Sequence, residues 1–163
     1  MPKMKLQGLE EVSILINRMA EQGETVAKAA VFAGAAKAAE ELRKQVQALP
    51  EEEGYMKPGR KRQNVTRAEK EALLSHMGIS HMDTDGGKVS AAIGFDGYAE
   101  NIRTRKHPQG LPVPLLARSI ESGSSVRQKN PFIRRAGNAV KATVQQTMEV
   151  AAYEQIEKIT GGR

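Results

Sequence analysis

The chain contains no cysteine and no tryptophan, and only 4% of its 163 residues are aromatic. Without cysteine there is no disulfide framework and no thiolate metal site. With so few aromatics, bases have few platforms to stack on. The core must then be closed by Ala, Leu, Ile, Val and Met, which fill space only where helices pack closely. That favours a helix-rich domain, alone or completed by neighbouring subunits. No apolar run approaches the roughly 20 residues that span a bilayer. Lys3 and Lys5 are not followed by a continuous apolar segment, so no signal peptide is expected.

What the chain does have is length for one domain over 1–163 and an uneven positive charge, +6 overall. Residues 56–70 carry Lys57, Arg60, Lys61, Arg62, Arg67 and Lys70 against Glu69 alone. Residues 101–141 carry Arg103, Arg105, Lys106, Arg118, Arg127, Lys129, Arg134, Arg135 and Lys141 against Glu121 alone. Such asymmetry suits a polyanion or an acidic face on a partner protein; it also suits a merely solvated surface.

Apolar periodicity predicts a helix over 5–21, on Leu6, Leu9, Val12, Ile16 and Met19. Gly23 breaks it, and Thr25 is the expected cap of a second helix running to Leu49 on Val31, Ala35, Ala38, Leu42, Val46 and Leu49. Pro50 stops it. The polar stretch 50–65 reads as a mobile loop or arm. Thr66 and Glu69 form a capping box for a short helix ending near Met77 and Gly78.

The strand signal is Lys88–Phe95, which places Val89, Ala91, Ile93 and Phe95 on one face. Its expected partner is 79–82, across a turn at 83–87. A lone hairpin is marginal in water, so its apolar face must rest on the helices or pair with another subunit. Residues 96–112 read as irregular. Pro114 opens a helix through Glu121 that Gly123 terminates. Asn130 and Pro131 are the expected N-cap and first residue of a last helix reaching Thr160. Together these elements predict an α+β fold: a helix-rich single domain whose long N- and C-terminal helices pack on a small antiparallel sheet.

Motifs for chemistry are missing. His76 and His81 are separated by Gly78, off the spacing of a two-histidine zinc helix. Asp83-Thr84-Asp85-Gly86-Gly87 starts like a calcium loop, but Gly94 stands where the bidentate Glu belongs. Ser119, Ser122, Ser124 and Ser125 lack a nucleophile elbow and a histidine partner. There is no phosphate loop and no dinucleotide fingerprint. No enzymatic activity, metal or cofactor is expected.

One resemblance rests on the order of these elements: a long Ala-rich N-terminal helix, the Ile93-Gly94-Phe95 strand, the helix exit Glu121-Ser122-Gly123-Ser124-Ser125 and the helix entry Asn130-Pro131-Phe132-Ile133-Arg134-Arg135-Ala136. From about Val12 onward the chain resembles the tail-completion, or head–tail joining, neck proteins of long-tailed (siphovirus-type, lambdoid) bacteriophages. It departs from them at residues 60–67, where Arg60-Lys61-Arg62-Gln63-Asn64-Val65-Thr66-Arg67 replaces the P-x-D-T-G-x-L stretch of many relatives. The resemblance implies a structural virion protein at the head–tail junction, assembled in the host cytoplasm. It implies a homo-oligomeric ring, hexameric, next to head-closure, tail-terminator or tail-tube proteins, with DNA contact in the channel and no membrane. The alternative is a small basic nucleic-acid-binding protein. Candidate contacts to partner or DNA are Arg60, Lys61, Arg62, Arg103, Arg105, Lys106, Arg127, Lys129, Arg134 and Arg135.

Overall fold

A computed structural model describes residues 16–17, 20–53 and 59–161. The helix expected over 5–21 lies largely outside the described residues. Within them the fold is α+β, with four helices and three small antiparallel ladders. Helix α1 spans Gly23–Gln47, α2 Arg67–Ser75, α3 Val113–Ser122 and α4 Phe132–Thr160. The strands are β1 Met77–Ile79, β2 Asp83–Asp85, β3 Lys88–Ser90, β4 Ile93–Phe95, β5 Tyr98–Ala99 and β6 Leu111–Pro112.

The two long helices run antiparallel. Gln45 meets Arg135 near one end, and Gly34 faces Val144 and Met148 farther along. A Cβ on Gly34 would stand 2.6 Å from the Met148 Cγ, so the missing side chain sets how closely the axes approach. The alanines of α1 serve the same end, with Ala30 and Ala35 buried beside Gly34. In α4 the buried side chains, Phe132, Ala136 and Val140, are confined to the first turns. At about 1.5 Å per residue, α4 is roughly 43 Å long, and among the described residues it packs mainly on α1.

The core gathers Leu42, Val46 and Leu49 from α1, Val65, Leu73 from α2, Val113, Leu116 and Ile120 from α3, and Phe132 from α4. Met77, Ile93 and Phe95 pack against it from the β1–β4 ladder. The Phe95 and Phe132 rings sit 6.0 Å apart, which ties the sheet to the start of α4.

Several local expectations change. Thr25 does not cap α1. The Val26 amide donates to the Gln22 carbonyl at 3.1 Å, so helical bonding already passes through Thr25. The hairpin is tighter than predicted. Gly86 and Gly87 both take positive φ, 54° and 80°, as a two-residue primed turn requires, and Asp83–Asp85 are thereby drawn into the strand opposite Lys88–Ser90. The Lys88–Phe95 run is split at Ala91 and Ala92, and its second half pairs with Met77–Ile79, in register Ile79 with Ile93. The stretch 96–112 is not wholly irregular, since Tyr98–Ala99 pairs with Leu111–Pro112. A two-residue ladder containing proline is too short to show alternation.

The capping box is as predicted. The Glu69 amide donates to Thr66 Oγ1 at 3.2 Å, and the Thr66 amide donates to Glu69 Oε2 at 2.8 Å. The flanks of the 50–65 stretch are stitched to the body. The Val65 amide donates to the Pro50 carbonyl at 3.0 Å, and the Glu52 amide donates to the Val65 carbonyl at 2.8 Å. Its tip, residues 54–58, lies outside the described residues.

Candidate functional site

The junction between α3 and α4 is built around one carboxylate. Glu121, in the last turn of α3, accepts from the amides of Ile133 at 2.8 Å and Arg134 at 3.2 Å. These are orphan donors of the first turn of α4, and an anion there also meets the positive end of the helix dipole. Asn130 is therefore not the cap. The residue before the helix is Pro131, at φ −79° and ψ 65°, and no side chain of its own caps α4. The Asn130 side chain instead accepts from Arg135 Nη2 at 2.7 Å.

Between the two helices the chain folds back tightly. Gly123 takes φ 78°, and a Cβ there would stand 3.0 Å from the Lys129 nitrogen, so only glycine fits. The Ser124 amide donates to the Arg127 carbonyl at 2.9 Å, and the Asn130 amide donates to the Ile120 carbonyl at 2.8 Å. The basic stretch before α2 lies alongside. The Arg62 amide donates to the Val126 carbonyl, and the Gln128 amide donates to the Arg62 carbonyl, both at 2.8 Å.

One ion pair locks the two stretches together. Arg127 is 7% exposed and Glu69 6%. Arg127 Nη2 donates to Glu69 Oε1 at 2.5 Å, and Nη1 donates to the Asn64 carbonyl at 3.0 Å. Glu69 uses its other oxygen in the capping box, so each carboxylate oxygen has a donor. Arg62 lies 3.7 Å from the same carboxylate and is half-buried. A buried charge needs a partner and hydrogen bonds, and both are present here.

This placement corrects the reading of one candidate. Arg127 is not displayed to a partner; Glu69 and the Asn64 carbonyl occupy its guanidinium. Arg62 stands beside the same carboxylate with part of its side chain exposed, and stays a candidate contact. The signal was in the sequence: Glu69 and Glu121 are the lone acids of the two basic stretches, and each turns out to tie a loop down.

Lys61, Lys129, Arg134 and Arg135 are exposed around this frame, as is Arg60. An open polar recess of about 580 Å³ lies between Lys61, Ser122, Ser124, Gln128 and Lys129. Arg103, Arg105 and Lys106 are also exposed, but they belong to a separate turn closed by mutual hydrogen bonds of Thr104 and His107 and do not line the recess. Arg103 Nε donates to the Glu100 carbonyl at 3.1 Å.

Asp83 and Asp85 are strand residues with exposed side chains. Among the described residues no three His, Asp or Glu side chains converge to hold a metal ion. No helix among them is long and apolar enough to cross a membrane. No known protein family, curated protein or solved structure matches the chain. What the arrangement can do chemically is hold a rigid, cationic, hydrogen-bonding edge toward an anion or an acidic surface.

Proposed function

We propose that this chain is a structural component of a long-tailed phage neck, joining the completed tail to the DNA-filled head as part of a ring. Its task is mechanical. The observation that carries the reading is the pair of hydrogen bonds from the Ile133 and Arg134 amides to Glu121. They join the Glu121–Ser125 and Asn130–Ala136 segments, on which the family resemblance rests, into one unit. A loop pinned at both ends and crossed by a buried ion pair suits a directional contact repeated around a ring.

The exposed edge of Lys61, Lys129, Arg134 and Arg135 would meet acidic faces of adjoining neck or tail proteins. The Arg103–Lys106 turn is a second contact, toward DNA or protein. Deleting the reading frame from its parent genome should leave filled heads and separate tails. Replacing Arg134 and Arg135 with Glu should leave a folded chain that fails to attach tails. Normal infectious particles in either case contradict the proposal. Strong DNA binding by the isolated monomer, falling steeply with salt, would favour the nucleic-acid-binding alternative.

A further inference from the structure

The recess between Lys61 and Lys129 carries positive charge that no acid of its own wall neutralises. Neither lysine makes an ion pair or side-chain hydrogen bond among the described residues. Glu69 and Glu121, the lone acids of the two basic stretches, are held by Arg127 and by the first amides of α4, and neither lines the recess. Hydrogen-bond donors stand in the same wall. Ser122 Oγ has no partner among the described residues. Ser124 Oγ accepts from the Val126 amide at 3.3 Å, which leaves its own proton to donate. The Lys129 amide donates to no acceptor among the described residues. The space beside it exists because residue 123 is glycine, since a Cβ there would stand 3.0 Å from that nitrogen.

These donors fit one kind of anion. A planar carboxylate is best met by the flat fork of an arginine, which donates two parallel bonds. The arginine of this wall, Arg127, has its terminal nitrogens occupied by Glu69 and the Asn64 carbonyl. What remains is two ammonium groups, which act as point charges, and single donors brought from separate segments. Lys61 comes from the stretch before α2, Ser122 from the end of α3, and Ser124 and Lys129 from the loop that follows. Such a set suits a tetrahedral group that offers oxygens in several directions. The two sides of the recess are already joined, by the Arg62 amide on the Val126 carbonyl and the Gln128 amide on the Arg62 carbonyl. A preformed site spends little binding energy on ordering itself.

We propose that this recess is a phosphate-binding site. Lys61 and Lys129 supply the charge, and the Ser122 and Ser124 hydroxyls with the Lys129 amide supply directed hydrogen bonds. The recess is open to solvent, so it admits the free ion and equally a phosphodiester of a nucleic-acid strand. The inference goes beyond the neck reading and does not rest on it. It is compatible with the acidic contacts proposed there, because each lysine ammonium has three donors.

The test is a titration of the full-length protein near neutral pH and at constant ionic strength, read from amide chemical shifts. The probes are inorganic phosphate, a short DNA duplex, and succinate, whose charge sits on planar carboxylates. Phosphate should shift the amides of Ser122, Ser124 and Lys129 saturably, and succinate should bind at least about tenfold more weakly. Lys61→Gln/Lys129→Gln changes two exposed side chains, should fold by circular dichroism, and should lower phosphate affinity at least about tenfold. Lys141→Gln/Lys158→Gln removes as much charge outside the recess and should leave that affinity within about twofold of wild type. Ser122→Ala deletes a hydroxyl without a partner in the protein, so it should weaken phosphate several-fold and leave the melting temperature unchanged. A duplex that moves the same amides at lower concentration identifies a nucleic-acid phosphodiester as the source. A duplex that leaves them in place while phosphate binds identifies the free ion, and either result supports the site. The proposal is overturned by the absence of a saturable phosphate shift, by succinate binding as tightly as phosphate, or by equal losses in the two lysine pairs. If Lys61→Gln/Lys129→Gln misfolds, Ser122→Ala decides, and unchanged phosphate affinity in it overturns the site. None of these results bears on whether particles lacking the chain mature, which is the separate test of the neck reading.

Discussion

The carboxylate of Glu121 accepts a hydrogen bond from the amide of Ile133 at 2.8 Å, joining the end of one helix to the start of another across twelve positions of sequence. The loop between them is thereby held by its ends. Arg127 in the middle of that loop is held by Glu69. The positive edge of the molecule is displayed from this frame.

Removing the cap should loosen the frame. Glu121→Ala leaves two first-turn amides without their acceptor and should cost about 1 kcal/mol. For a chain of this length that lowers the melting temperature by about 2–4 °C. Glu121→Gln keeps an acceptor but loses the charge–dipole attraction, and its loss should be smaller. Calorimetry of both variants checks the order.

Breaking the buried pair should be more severe. Glu69→Ala leaves Arg127 buried without its counter-charge and should cost about 3–5 kcal/mol. Arg127→Met leaves Glu69 its Thr66 amide and the more distant Arg62, so it should cost less. Glu69→Leu/Arg127→Met should be more stable than Glu69→Ala. Urea unfolding midpoints of the three variants decide the ranking.

The close approach of α1 and α4 can be tested at one atom. Gly34→Val places side-chain atoms where Met148 and Val144 already stand and should cost about 1–3 kcal/mol. Adding Met148→Ala should recover part of that loss, because the two positions share the space. Independent, additive effects would contradict the packing described here.

Acid should act on α1 as well. Hydrogen bonds from Lys37 and then Lys44 hold the Glu40 carboxyl down to about 2, below its ordinary 4.5. A folded-state value below the unfolded one stabilises above the unfolded value, and that contribution is lost as pH falls toward the folded value. Glu40 is exposed at the surface, so the effect is small and screened by salt. At low salt, acidification from about pH 5 to about 2 should destabilise wild type more than Glu40→Gln. In about 1 M salt the difference should vanish.

The helices were legible because their apolar residues recur at helical spacing over several turns, and the Thr66–Glu69 box because both partners lie within one turn. Local rules failed where a distant group won. Asn130-Pro131 has the composition of a cap, yet Glu121 takes the amides, and nothing within the first turn of α4 announces it. Arg127 sits among polar loop residues and reads as exposed; its burial depends on Glu69, which is 58 positions earlier. Tyr98–Ala99 and Leu111–Pro112 are too short to show a strand period. The exposed candidates were legible as charge, but the sequence does not show that Lys61 and Lys129 line one recess while Arg103–Lys106 lie apart from it.

Amide hydrogen exchange across residues 120–134 tests the central claim most directly. The amides of Gln128, Asn130 and Ile133, with Arg62 opposite them, should exchange slowly, and Glu121→Ala should accelerate Ile133 and Asn130 most. Exchange of these amides at the rate of an open loop in the wild-type protein would contradict the rigid frame.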